Sequence, residues 1–173
     1  MNISTDYKYL SKHAVWLHRK RVFMEDAQKK WFRGNQSLTQ QLLDHSQHNF
    51  SLELLAEYRA KPCMHEAKVL GIGLHRNCRI REVLLKCHGE ATVYARSIIS
   101  DQAIKASKHQ LTKLGTTPLG HLLFKRAKVN LETRQVAKIS KEDSTMYARR
   151  TLYQLNGENI LVSEFFLQEV WQQ

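Results

Sequence analysis

Proline, glycine and cysteine are all scarce in this 173-residue chain, and each scarcity removes a class of protein. Two prolines, Pro62 and Pro118, and seven glycines leave no linker, no low-complexity tract and no internal repeat. One domain over residues 1–173 is therefore expected, long enough to bury a sizeable core. Cys63, Cys78 and Cys87 are an odd number without a regular framework, which fits reduced thiols rather than a disulfide scaffold. Cys63-Met-His65 and Cys87-His88 set sulfur beside imidazole. No Cys-x-x-Cys or His-x-x-x-His spacing accompanies them, so no metal site is expected. Nothing approaches the run of about 18 apolar residues that spans a bilayer. The first residues, Met-Asn-Ile-Ser-Thr-Asp-Tyr-Lys, carry no signal-peptide core, and a cytoplasmic protein is expected. Walker loops, Gly-x-Gly-x-x-Gly and Gly-x-Ser-x-Gly are missing as well.

Acidic residues are also few, 16 against 27 Lys and Arg, for a net charge of +11. Such an excess suits phosphate backbones, and a nucleic-acid-binding protein is one alternative. The densest basic run, His18-Arg19-Lys20-Arg21, sits in an amphipathic-looking stretch with Trp16, Leu17, Val22 and Phe23, and no aromatic RNA-binding motif is present. A solvated basic surface that attracts small anions accounts for the charge, with no nucleic-acid partner expected.

Along the chain, the first forty residues read as helical, with a turn at Gly34-Asn35. A capping box follows at Ser37-Leu-Thr-Gln40, and Leu38, Leu42 and Leu43 have helical spacing. Alternation predicts a strand over 52–58, another extended stretch at 66–75, and a hairpin of 79–87 with 91–99. Asp101 is expected to cap a helix that buries Ile104, Leu111 and Leu114 and ends at Gly115. Thr117-Pro118 reads as N-cap and N1 of a short helix through Phe124. Residues 129–139 read as an edge strand. Asn156-Gly157 joins 147–155 to 160–167 as a type I′ hairpin. Helices first and hairpins after them indicate an α+β fold with an antiparallel sheet.

Side chains alternate along the last strand, so Ile160, Val162, Glu164 and Phe166 share one face while Leu161, Ser163, Phe165 and Leu167 share the other. Both faces are apolar, so the strand is expected to be covered twice, and Glu164 must then find a cation, a donor or a ligand. Arg81 stands on a similar apolar face with Val83 and Leu85. The two charges read as a buried ion pair, as a pair with one partner at a strand end near solvent, or as the poles of a ligand cavity; buried pairs are weak stabilising devices, which brings the cavity reading level with the structural ones. The planar fork of Arg81 suits a carboxylate, and a pocket with one arginine, one carboxylate and apolar walls suits a small, flat anion. Arg96, Arg149 and Arg150 read as surface or framework charges, any one of which could meet a second carboxylate.

Taken in order, Arg81-Glu-Val-Leu-Leu85, Ala95-Arg96, Leu114-Gly-Thr-Thr-Pro-Leu-Gly120, Leu123-Phe124, Arg149-Arg150 and Ser163-Glu-Phe-Phe-Leu167 resemble the bacterial chorismate pyruvate-lyase family, from about Ser37 to Leu167. The resemblance implies a monomer with a six-stranded antiparallel sheet and helices that act as flaps over a buried ligand pocket. It implies conversion of chorismate to 4-hydroxybenzoate and pyruvate, the opening step of ubiquinone biosynthesis, with no cofactor and no metal. Carried over residue by residue, Leu38, Arg81, Leu119 and Glu164 would contact the ligand. Leu38 departs from the family's usual Met, and Leu keeps its bulk. Arg81 would clamp the ring carboxylate; Glu164 would face the other end, near the ether oxygen taken as the future phenol. A small-anion-sensing domain of the kind found in transcription regulators shares this fold and is the alternative. The 36 residues before Ser37 are too few for the winged-helix domain such regulators carry.

Overall fold

Hydrophobic patterning with two periods produces two kinds of element here. The computed structural model describes residues 3–18, 21–34, 36–124, 129–141 and 144–171. In chain order they form α1 (Ile3–His13), β1 (Leu17–His18), α2 (Asp26–Arg33), α3 (Leu38–His45), β2 (Phe50–Ala60), α4 (Met64–Leu70), β3 (Cys78–Cys87), β4 (Glu90–Ile99), α5 (Asp101–Ala106), a 3₁₀ turn at Gln110–Thr112, α6 (Leu119–Phe124), β5 (Val129–Lys141), β6 (Ser144–Leu155) and β7 (Glu158–Phe166). The strands make a single antiparallel sheet in the order β1-β5-β6-β7-β4-β3-β2. Two meanders, β2–β4 and β5–β7, are joined side by side where β4 pairs with β7. The fold is α+β as expected, with six long strands; the two-residue β1 adds a seventh at the β5 edge. No helix among the described residues is long and apolar enough to cross a membrane.

The hairpin turn is where the sequence puts it. Asn156 and Gly157 have φ of 51° and 85°, the left-handed pair a type I′ turn requires. Both faces of β7 are covered. Ile160, Val162 and Phe166 pack under the layer formed by α2, α3, α5 and α6, while Leu161 and Phe165 pack under α1, α4 and Trp16. Phe32 of α2 anchors one end of the first layer, its ring 4.7 Å from that of Phe166 and 5.5 Å from that of Trp171.

Several local expectations give way to capping chemistry. Residues 66–75 are not extended. Cys63-x-x-Glu66 forms a reciprocal capping box, Gly71 at φ +72° closes the C-terminus, and the segment between is helix α4. Ser100, not Asp101, caps α5 by accepting from the Ala103 amide, and α5 ends at Ala106, well short of Gly115. Ser37 occupies the N-cap of α3 without a side-chain cap bond, and Gln40 turns to Asp44 instead. Helix α1 stops at His13, and Leu17–His18 pair as a short strand with the exposed edge of β5 instead of continuing the helix. Asn35 and Arg19-Lys20 lie outside the described residues; His18 and Arg21 are exposed.

The face of the sheet under α1 and α4 holds a buried polar network, which makes framework charges of Arg96 and Arg150. Arg96, 6% exposed, donates from Nε to Glu66 at 2.9 Å and from Nη1 to Glu82 at 2.6 Å. Ser11 and the Cys63 amide donate to the remaining Glu66 lone pairs. Arg150 is buried on the same side, bonded to Gln135 and the His65 ring and stacked 4.7 Å from Trp16. Desolvation alone would raise the Glu66 pKa, but the Arg96 hydrogen bonds and charge, with the Cys63 and Ser11 donors, outweigh it and hold the group below its ordinary value. A depressed folded pKa contributes stability above the unfolded value and loses it as pH falls through the folded one. Glu66→Gln is therefore expected to lower unfolding free energy by about 3–5 kcal/mol at neutral pH and to flatten the acid side of the stability–pH curve. Urea melts between pH 3 and 7 would test this, and a variant losing stability in acid as steeply as the parent would refute it.

Candidate active site

Strand register fixes the geometry of the opposite face. β3, β4 and β7 bring Arg81, Ser97 and Val162 into one row, and Val83, Ala95 and Glu164 into the next. At about 4.8 Å between strands and 3.4 Å per residue, the Cα atoms of Arg81 and Glu164 stand about 12 Å apart on the same face. Their side chains therefore reach into common space without touching. Leu38, the first residue of α3, and Leu119, the first of α6, cover that space from above, and all four residues line one cavity. The structure thus brings together all four residues singled out in the sequence.

The cavity is small, about 40 Å³, against the several hundred that ligand pockets usually offer. Arginines bind the segments that cover it. Arg81, 1% exposed, donates from Nη2 to the Gly115 carbonyl at 2.9 Å and the Thr117 carbonyl at 3.1 Å. Its Nε is buried with no hydrogen-bond partner. Burial lowers the Arg81 pKa, with Glu57 opposing and Arg79 adding to the effect. Glu57 is itself paired with Arg79. Gly115 has φ +52°, and this turn presents its carbonyl and that of Thr117 to Arg81. Through these two bonds Arg81 ties the segment before α6 to the sheet.

Glu164 does not pair with Arg81. Its partner is Arg149 of β6, fully buried, which donates from Nε to Glu164 Oε2 and from Nη1 to the Trp31 carbonyl at the end of α2. Of the two readings of Arg149, surface or framework charge, the surface one is removed: Arg149 and Arg150 point to opposite faces of a sheet covered on both sides, so both are buried. Arg134 of β5, 2% exposed, is a further site neighbour that the sequence reading passed over. It donates from Nε to Thr151 and from Nη1 to the Gly34 carbonyl. Burial, then the neighbouring Arg149 charge, lowers its pKa, with Tyr153 and Glu164 acting against them. A larger cleft of about 550 Å³ lies by α5 and the β6–β7 turn, but its cations Arg76 and Lys105 are exposed and it holds no buried charge to orient a guest.

An antiparallel sheet roofed by short helices, with a small cavity between them lined by one arginine and one carboxylate among apolar side chains, defines an α+β domain. Solved structures with the same fold include PhnF from Mycobacterium smegmatis, with a TM-score of 0.58 at 11% identity over 77% of this chain and 64% of that one. The PhnF C-terminal domain gives 0.54 at 15% identity over 67% and 81% of the two chains. At such identities the likeness concerns fold alone. Sequence goes further. The family model for chorismate lyase matches residues 10–173, and the chain belongs to that family. A probable chorismate pyruvate-lyase of Idiomarina loihiensis is 32% identical over 172 residues, covering 92% of this chain and 88% of the relative. A namesake from Pseudomonas putida is 33% identical over 149 residues, covering 82% and 80%. Family membership makes the protein a lyase.

Proposed function

We propose that this protein converts chorismate to 4-hydroxybenzoate and pyruvate, without metal or organic cofactor, as a cytoplasmic single-domain monomer that supplies ubiquinone biosynthesis. The observation that carries the proposal is the convergence of Arg81 and Glu164 on one cavity under Leu38 and Leu119, in a chain of the chorismate lyase family.

Chorismate carries a ring carboxylate, a hydroxyl on the opposite ring carbon, and an enolpyruvyl ether on the carbon beside that hydroxyl. Atom balance corrects one expectation of the sequence reading. The bond between the ring and the ether oxygen breaks, so the ether oxygen leaves with pyruvate. The hydrogen on the hydroxyl-bearing carbon is lost, a proton is gained by the enolpyruvyl methylene, and the ring hydroxyl becomes the phenol. Arg81 clamps the ring carboxylate through its planar fork. Glu164, at the far end of the cavity, accepts a hydrogen bond from the ring hydroxyl. Aromatisation drives the reaction, and the protein contributes a fixed reactive conformer, exclusion of water and opposite poles for developing charge.

The test is to mix purified protein with chorismate and follow 4-hydroxybenzoate by absorbance. A folded sample that yields no product refutes the proposal; tight binding of a small anion without turnover would instead indicate a sensing domain.

A further inference from the structure

Charge is balanced on one face of the sheet and unbalanced on the other. Five arginines and three glutamates are buried among the described residues. Under α1 and α4, Arg96 and Arg150 meet Glu66 and Glu82, two charges of each sign. On the cavity face, Arg81, Arg134 and Arg149 share the sheet with one buried carboxylate among the described residues, Glu164, which leaves an excess of two buried positive charges. Each of these three side chains also keeps one buried nitrogen without a hydrogen-bond partner: Nε of Arg81, and Nη2 of Arg134 and of Arg149. Buried uncompensated cations are among the most unfavourable arrangements a fold can hold, and three unpartnered donors point to the same missing groups.

We infer that Arg134 and Arg149 form a second anion subsite, which takes the enolpyruvyl carboxylate of the substrate while Arg81 takes the ring carboxylate. The inference rests on the proposed reaction and adds residues to its site. Sheet register supports the placement. Thr151 lies opposite both Val162 and Arg134, so Arg134 stands two strands beyond β7, as Arg81 stands two strands before it. Arg149 is directly opposite Glu164. With the ring carboxylate on Arg81 and the hydroxyl on Glu164, the ether on the adjacent carbon must extend toward the Glu164 end, where this pair waits. A dianion then supplies the two missing charges. After the reaction each product carries one of them.

Both arginines also hold the roof, Arg149 through the Trp31 carbonyl and Arg134 through the Gly34 carbonyl. Occupancy of the subsite is therefore coupled to the connection between α2 and α3, as occupancy of Arg81 is coupled to the segment before α6.

The probe is 3-(carboxymethoxy)-4-hydroxybenzoate, which reproduces both carboxylates, the ether and the hydroxyl but cannot eliminate. Calorimetric titration is compared with 4-hydroxybenzoate, which lacks the second carboxylate. The parent protein is expected to bind the dianion at least about 10-fold tighter than the monoanion. Arg134→Gln should weaken the dianion about 30-fold and the monoanion less than about threefold, with KM for chorismate rising in step. Arg134→Lys, which keeps the charge without the fork, should recover part of the loss, and Arg134→Met, which keeps the stem, replaces the Gln variant if that one does not fold. Equal weakening of both ligands, or a parent with no preference for the dianion, overturns the subsite. Absence of chorismate turnover by the parent would refute the proposed reaction separately, since dianion selectivity is read without turnover.

Discussion

Arg81→Ala is expected to reduce kcat/KM for chorismate by about three orders of magnitude and leave the fold in place. Truncating one member of a buried, hydrogen-bonded charge pair at an interface weakens binding by about 2–5 kcal/mol, much of it from the partner left unpaired, and each 1.4 kcal/mol is tenfold. In the proposed reaction that partner is the ring carboxylate. It would enter a cavity whose nearest remaining polar groups include the carbonyls of Gly115 and Thr117, which repel it. Stability responds differently. The folded state now holds a guanidinium with one nitrogen unpartnered and a pKa lowered first of all by burial, so its removal relieves desolvation while it strands two carbonyls. The opposing changes should leave the melting temperature within about 4 °C of the parent, a shift of about 1 kcal/mol for a chain of this size. Arg81→Lys should fall between the two proteins in rate, because an ammonium supplies charge without the bidentate fork. Steady-state kinetics and thermal melts on the three proteins test this. An Arg81→Ala protein that turns chorismate over at the parental rate would remove Arg81 from the site.

Much of this geometry was legible in the sequence, and the remainder failed for identifiable reasons. Glu164 on a doubly covered strand followed from period-two alternation alone, as did the apolar face of Arg81. Arg149 was missed although the signal was present. A two-residue Asn156-Gly157 loop puts Leu155 opposite Glu158, and counting back along both strands puts Arg149 opposite Glu164. The same count sends Arg150 to the other face beside Ser163, so an Arg-Arg pair that looks like surface charge is divided between two interiors. Arg134 had no comparable local signal, since its role depends on the register of β5 against β6, which no Asn-Gly dipeptide marks in the sequence. Helix α4 was lost for a different reason: Cys63 is an unusual N-cap, and its capping box is recognisable only once Glu66 is seen to bond back to the Cys63 amide. The two covering leucines could not have been placed by pattern, because Leu38 and Leu119 are ordinary apolar positions until the helices they begin are folded over the sheet. Only the family resemblance singled them out.

Glu164→Gln should reduce kcat by about 10²-fold or more, because the amide keeps the shape and loses the charge that faces the reacting end. The effect on stability is tied to Arg149, and a double-mutant cycle separates the two. In Glu164→Gln the amide oxygen can still accept from Arg149 Nε, but the guanidinium loses its only counter-charge in a position that is fully buried. In Arg149→Met the reverse holds, and Glu164 is left as an anion between Ala95 and apolar walls. Breaking a buried pair from one side destabilises by about 3–5 kcal/mol, whereas removing both charges with packed replacements is often neutral. The double variant is therefore expected to be more stable than the sum of the singles allows, with a coupling energy of about 0.5–3 kcal/mol measured by urea unfolding. Catalysis should show no such recovery. The double variant lacks the carboxylate proposed to meet the ring hydroxyl as well as one arm of the proposed second anion subsite, so it should be at least as slow as Glu164→Gln. Stability that returns without activity is the pattern of a charge pair retained for chemistry. A double variant that regains both, or a Glu164→Gln enzyme as fast as its parent, would reduce the pair to framework.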